Sequence, residues 1–173
     1  MNVNLKQAFR AAVSFGLGVF VTFNQAHGPD TGLWVLGIFG IVLGIGLGAL
    51  TLTKKADLSA LQELPVAVLA MLVGLFSFLA LAKQETQLPA FLALVSAWGL
   101  ISGAFELYQA RRSSFKSQEG KDFLISAIFG LLLGLLFLAV QLDSVSAVGF
   151  FGAYLAMSGV HLGIAAASSK KPK

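Results

Sequence analysis

The chain has 173 residues, of which 57% are hydrophobic and only 12% are charged, and its net charge is +4. Soluble domains carry roughly 25% charged residues, so this composition excludes an ordinary water-soluble domain and favours a helical membrane protein, in which each helix satisfies its own backbone groups. The sequence has no cysteine, which excludes disulfides, thiolate nucleophiles and cysteine-ligated metal clusters.

Six apolar segments follow one another along the chain, and each is long enough, at about 18–23 residues, to cross about 30 Å of hydrocarbon as a helix. The connections between them are short, so we expect an all-α membrane bundle of three antiparallel hairpins in a single domain over residues 1–173. The residues after the first segment form a poor signal-peptide cleavage site, and we expect that segment to be retained. The six segments lie at about 8–26, 33–52, 64–82, 89–109, 122–141 and 145–167.

The basic residues fall almost entirely on one side of the predicted helices. Eleven of the twelve Lys and Arg residues lie near the chain ends, after segment two or between segments four and five, and Lys83 alone lies in an opposite loop. The positive-inside rule then places both termini in the cytoplasm. The excess of basic residues is therefore explained by membrane topology, and it would also attract anionic lipid headgroups to some extent. We expect a lipid bilayer and no nucleic acid as partner.

Several loop residues have the chemistry of helix starts. Pro89 suits the first turn of segment four, and Asp143 or Ser144 can cap segment six. Ser59 and Gln62 have the spacing of a capping box before segment three.

An internal repeat relates the six segments in pairs. Gly18, Gly74 and Gly130 are spaced by 56 residues in the odd segments, and each follows a small residue four positions earlier. In the even segments, Phe39, Trp98 and Tyr154 each precede by five positions a glycine of a second spaced set, Gly44, Gly103 and Gly159. We predict three copies of one hairpin, at about 8–52, 64–109 and 122–167, in the same orientation around an axis along the membrane normal.

Small residues spaced by four create helix faces on which two backbones can approach closely. We expect these faces to pack helices within the chain, while the Gly40, Gly44 and Gly48 face could instead join two copies into a homo-oligomer. The glycines concerned are Gly40, Gly44, Gly48, Gly99, Gly103, Gly130, Gly134, Gly159 and Gly163.

The stretch Trp98-Gly-Leu-Ile-Ser-Gly-Ala-Phe-Glu106 combines an aromatic residue, a glycine pair and a carboxylate at membrane depth. With the Gly130-Leu-Leu-Leu-Gly-Leu-Leu run and the Trp98/Tyr154 and Gly103/Gly159 equivalences, it resembles the HdeD family. That resemblance implies a bacterial inner-membrane protein of six helices in repeated hairpins, associated with acid resistance. The second helix departs from the pattern, because it has no polar residue matching Glu106.

Glu106 lies about five residues inside Arg111, where a carboxylate is costly unless it is paired or close to the interface. It either pairs with an arginine such as Arg10 or Arg111, or titrates as a buried group that senses or relays protons. His161 lies one residue from the position that corresponds to Glu106 in the third repeat. Since histidine changes charge near neutral pH, Glu106 and His161 could form a proton-responsive pair; otherwise His161 bonds a backbone carbonyl.

No residue pattern indicates catalysis, a cofactor or a metal. His27 and His161 fall on opposite membrane faces and cannot share a metal ion, and no nucleotide-binding motif follows a strand. We therefore expect a non-enzymatic membrane protein with a stress-associated role. A small channel or transporter is an alternative, as is an accessory subunit of a larger membrane complex. The polar residues within the segments, for which the sequence shows no common strip, are Ser14, Thr22, Ser77, Ser96, Ser102, Glu106, Ser126, Ser158 and His161.

Overall fold

A computed structural model describes residues 3–52 and 64–168, and the secondary-structure elements within these ranges are helices joined by short loops. A short 3₁₀ turn at Gln84–Thr86 precedes the fourth helix. The helices are α1 Val3–Phe23, α2 Pro29–Leu52, α3 Leu64–Ala80, α4 Gln87–Arg112, α5 Gln118–Ala139 and α6 Ser144–Ser168. The six predicted segments are therefore helices. α1 begins at Val3, before its predicted start near residue 8, and ends at Phe23, before its predicted end near residue 26, while α4 extends at both ends through polar residues.

Four helices have the length and the apolar composition to cross a membrane, namely Pro29–Thr51, Gln118–Ala139, Ser144–Ser168 and the stretch Gln84–Arg112. In the described ranges α3 is shorter, with 17 residues, and α1 carries Lys6 and Arg10 among its apolar residues. Large apolar side chains cover the outside of the bundle, including Phe20, Leu132 and Ile164.

The helix ends follow from local chemistry. Asp143 caps α6, because its Oδ1 accepts hydrogen bonds from the backbone N–H of Val145 at 2.9 Å and of Ser146 at 3.0 Å. Ser117 caps α5 in the same way by accepting from Gly120 N. Pro89 lies in the first turn of α4, where its missing N–H costs nothing. The capping box predicted at Ser59 and Gln62 lies outside the described residues.

Three antiparallel helix pairs form the closest contacts of the fold. They are α2 with α3, α4 with α5, and α1 with α6. The hairpins that we expected from the short loops, such as α1 with α2, are also in contact but pack less extensively. Each helix therefore packs most extensively on the neighbour that is not its partner in the expected hairpin. The α1–α6 contact closes the six helices into a ring.

Glycines at the pair contacts explain this choice of partner. A Cβ added to Gly74 would lie 2.8 Å from the backbone N of Ile41, and one added to Gly99 would lie 2.6 Å from the carbonyl oxygen of Gly130. In the third pair, Gly18 packs against the backbone of Ala156. Gly18, Gly74 and Gly130 thus occupy the same place in the three pairs, where any side chain would hold the backbones apart.

The other glycines of the predicted packing faces are not all alike. A Cβ on Gly103 would meet Leu131, and one on Gly134 would meet Leu100, so both belong to the α4–α5 contact. Gly159 lies against Phe15, and Gly163 faces Ala11 at ordinary contact distance, both between α6 and α1.

The face of α2 that we considered for a homo-oligomer is occupied within the chain. Gly40 packs on the backbone of Ala70 and Gly74, and Gly44 packs on Met71, so α3 of the same chain covers both. Gly48 has no neighbour within 4 Å of an added Cβ. A second copy therefore cannot dock on the Gly40 and Gly44 positions without displacing α3.

The even helices α2, α4 and α6 contact one another at the centre of the ring. In the half of the bundle that contains the loops at 24–28, 81–86 and 140–143, which we call the far face, aromatic rings fill this centre. Phe39 meets Trp98 edge-to-face at 5.2 Å, and Phe151 meets Phe91 at 5.7 Å between ring centroids. Phe137 packs on Phe91 at 6.0 Å, and all five rings are buried. This aromatic layer closes the centre toward the far face.

Candidate functional site

A buried ion pair lies on the other side of the aromatic layer, toward the basic face, which we define as the end of the bundle where α1 and α5 begin. The guanidinium of Arg10 on α1 donates to the carboxylate of Glu106 on α4. The Glu106 side chain is 7% exposed and that of Arg10 is 18% exposed. Of the two arginines considered from the sequence, Arg10 is the partner of Glu106. A carboxylate in apolar surroundings requires such a partner, because an isolated buried charge is very costly.

A small cavity adjoins the ion pair, and we call it the polar chamber. Hydroxyl groups from three helices and the indole of Trp98 border it, together with Arg10 and Glu106. It has about 10 Å³ of room for the centres of water molecules, which is enough for about one water. Its lining residues are Arg10, Ser14, Phe39, Leu43, Trp98, Glu106, Ser126, Tyr154, Ser158 and Leu162.

The hydroxyl groups of the chamber differ in their hydrogen bonds. Trp98 Nε1 donates to the hydroxyl oxygen of Tyr154 at 3.3 Å, which gives this partly buried tyrosine a partner. In the described part of the chain, the hydroxyls of Ser14 and Ser126 make no hydrogen bond to another protein group, although Ser14 is only 4% exposed. Their hydroxyls are therefore available to a small molecule in the chamber.

A second small cavity lies on the basic-face side of the ion pair. It has about 30 Å³ of room for water centres and is also bordered by Arg10 and Glu106. Gln109 is the further polar residue in its lining, which Leu47, Val66, Phe105 and Phe123 complete. Glu106 thus has a cavity on either side of it.

His161 does not meet Glu106. Its Nε2 lies 3.0 Å from the backbone carbonyl oxygen of Asp122 on α5, so this nitrogen carries the proton and donates. Its ring packs edge-to-face on Phe129 at 6.0 Å. No hydrogen bond or ion pair links His161 to Glu106 in the described ranges. The reason is the one-residue offset: Leu162 is the counterpart of Glu106 and lines the chamber, whereas His161 is turned by about 100° around the helix.

The remaining sequence candidates lie away from the chamber. His27 is in a far-face loop, where its Nδ1 lies 3.4 Å from the carbonyl of Gln25. Trp34 is half exposed and packs against Phe78. Over residues 3–52 and 64–168, no three His, Asp or Glu side chains come together as a metal site would require.

The three chamber serines were not recognised as a set in the sequence. Ser14 and Ser126 occupy the same repeat position, four residues before Gly18 and Gly130, while the middle repeat has Ala70 there. That equivalence was the signal that could have predicted a shared location. Ser158 joins them because it follows Tyr154 by one helical turn.

The comparisons with known proteins support a membrane protein. Residues 66–139, from the first turn of α3 to the end of α5, match the family model DUF308, described as a short repeat of unknown function. No curated protein and no solved structure matches the chain. The matched repeat and the four long apolar helices fit a membrane protein.

Proposed function

We propose that the chain is a non-enzymatic, multi-pass protein of the bacterial cytoplasmic membrane, related to the HdeD type, with six transmembrane helices and a stress-associated role. The observation that carries this proposal is the match of residues 66–139 to the DUF308 repeat, since that repeat occurs in HdeD-like membrane proteins. The apolar outer surface of the helical ring supports it, because only lipid or another apolar surface suits such an exterior.

Both termini lie in the cytoplasm in this proposal. The α4–α5 connection and its flanks carry Arg111, Arg112, Lys116 and Lys121, whereas Lys83 is the one basic residue of the far-face loops in the described ranges. Such an asymmetry supports a cytoplasmic basic face.

The absence of cysteine makes the topology straightforward to test. Single cysteines at Gln84 and Lys116 would be treated with a membrane-impermeant maleimide in intact spheroplasts. We expect Gln84→Cys to react at once and Lys116→Cys to react only after permeabilisation. The reverse order would contradict the proposed orientation.

The stress role requires a test in the cell. A strain without the gene would be exposed to acid after complementation with the wild-type chain or an empty vector. We expect higher survival with the wild-type chain. Equal survival, with the protein shown to be present in the membrane, would contradict an acid-associated role.

A small channel or transporter is a second candidate, which the polar chamber favours and the aromatic layer opposes. Flux after a pH jump in proteoliposomes separates the two, because a transporter that uses the chamber loses flux in Glu106→Gln. Absence of flux together with a stably co-purifying protein would favour an accessory subunit of a larger membrane complex.

A further inference from the structure

The polar chamber gathers groups that donate hydrogen bonds around a single carboxylate. The hydroxyls of Ser14 and Ser126 have no hydrogen bond in the described ranges, and the hydroxyls of Ser158 and Tyr154 border the same space. A hydroxyl can turn its proton toward an anion, and the guanidinium of Arg10 adds donors with a full positive charge. Apart from its one carboxylate, the chamber is therefore built from groups that suit an anion.

The groups around Glu106 in the described ranges come from several helices, and they differ in charge. α1 contributes Arg10 and, one turn nearer the basic face, Lys6. α2 and α3 contribute the apolar Leu47 and Val66. On α6, Tyr154 borders the chamber, whereas His161 is hydrogen-bonded to the backbone of Asp122 on α5 and does not meet Glu106.

Loss of the negative charge on Glu106 would remove this carboxylate from the partly buried guanidinium of Arg10. Arg10 remains protonated at every accessible pH, so an anion that takes the place of the carboxylate would meet a positive charge there. The side chain of Glu106 can also move toward the basic face, because the second cavity provides space there. The space that it vacates would merge with the chamber, whose present volume admits about one water.

We propose that the polar chamber is a latent binding site for a small inorganic monoanion such as chloride, which replaces the Glu106 carboxylate against Arg10 and accepts hydrogen bonds from Ser14, Ser126, Ser158 and Tyr154. The carboxylate and the anion compete for one place, so the site is filled by Glu106 itself while that residue is ionised. Neutralising Glu106 opens the site to the anion.

Trp98 reports directly on this site, because its indole borders the chamber and bromide quenches indole fluorescence on contact. Trp34 is the second of the two tryptophans and is half exposed, so Trp34→Phe leaves Trp98 as the single reporter. In this background, Glu106→Gln mimics the neutral carboxyl group at neutral pH. The probe is sodium bromide, added to purified full-length protein in detergent at constant ionic strength.

We expect bromide to quench Trp98 saturably in Glu106→Gln at neutral pH, and chloride to reverse the quenching by competition. The parent with Glu106 intact should show no saturable quenching at neutral pH. Replacement of both Ser14 and Ser126 by Ala in the Glu106→Gln chain should weaken bromide binding by at least about tenfold, since a hydrogen bond to a charged group contributes about 1.5–3 kcal/mol.

Two outcomes would overturn the proposal. One is the absence of saturable quenching in Glu106→Gln protein that remains monodisperse and helical. The other is saturable quenching that persists when Arg10→Gln is added, because the anion would then bind elsewhere. If Glu106→Gln fails to fold, Glu106→Ala gives the same test, and quenching that stays unsaturable there equally contradicts the site.

Discussion

Arg10 and Glu106 are 96 residues apart in the chain and form a buried ion pair across the centre of the helical ring. The repeat spacing gives Glu106 the counterparts Leu47 and Leu162, and gives Arg10 the counterparts Val66 and Asp122. The pair that corresponds to Arg10 and Glu106 one repeat later is Val66 and Leu162, and both of these residues are apolar. The ion pair is therefore a departure from the repeat that the sequence predicts.

Removing one partner of the pair should cost more than removing both. Glu106→Ala removes the carboxylate from the partly buried guanidinium of Arg10 and should lower the free energy of unfolding in chloride-free buffer, by at most about 3–5 kcal/mol. The double replacement Arg10→Val and Glu106→Leu copies the apolar counterparts and should recover most of this loss, because an apolar pair carries no desolvation penalty. Thermal unfolding in detergent measures both. A double variant less stable than Glu106→Ala would contradict a coupled pair.

The glycine contacts should be intolerant of even one methyl group. Gly99→Ala would place a Cβ 2.6 Å from the Gly130 carbonyl oxygen, so the α4–α5 backbones must separate. We expect a loss of about 1–3 kcal/mol, as for other overpacked contacts. Gly149→Ala is the matched control, since nothing lies within 4 Å of its added Cβ, and it should stabilise α6 by about 0.5–1 kcal/mol. Similar losses for the two variants would contradict close packing at Gly99.

The start of α6 should depend on the ionisation of Asp143. The backbone N–H of Ser146, then its hydroxyl and the N–H of Val145, hold the pKa of this exposed carboxyl below its usual value of 3.8. Because the folded pKa is the lower one, the capping contribution is fully present above pH 3.8 and is lost as the pH falls through the depressed pKa. Amide protection of Val145 and Ser146 should fall over that acid window.

Asp143→Asn is the control for this cap, because the amide oxygen still accepts hydrogen bonds but carries no charge. Its protection factors should change little over the same acid range. An equal acid dependence in the wild type and in Asp143→Asn would show that another group is responsible.

The sequence predicts the helices well because long apolar runs specify them almost without competition. Pro89 and Asp143 lie at helix starts as expected. Trp98 and Tyr154 lie within the bundle, where the indole of Trp98 donates a hydrogen bond to the hydroxyl of Tyr154. The main partner of each helix was not predictable from loop length. A short loop shows only that two helices are antiparallel neighbours, and in a closed ring every helix has two such neighbours.

The candidate site was predictable in part. Glu106 and its pairing with Arg10 follow from the cost of a buried carboxylate, whereas the chamber itself does not. Ser14 and Ser126 come from helices far apart in the chain, and they meet only because α1 closes the ring against α6. Of the two alternatives for His161, the structure shows the hydrogen bond to a backbone carbonyl rather than the pair with Glu106. The difference is one helical position, which the apolar pattern of α6 does not resolve.

Closure of the ring by α1 against α6 is the central structural claim, and one disulfide tests it most directly. A Cβ built on Gly163 lies 3.9 Å from the Cβ of Ala11, which is close to the mean Cβ separation of about 3.8 Å in disulfides. In the cysteine-free chain, Ala11→Cys with Gly163→Cys should therefore form an intramolecular disulfide when membranes are mildly oxidised, detected as a reducible mobility shift. The pair Ala11→Cys with Gly149→Cys, at opposite ends of the helices, should not. If both pairs stay reduced, or if both cross-link equally, α1 does not pack on α6 in this register and the closed ring is contradicted.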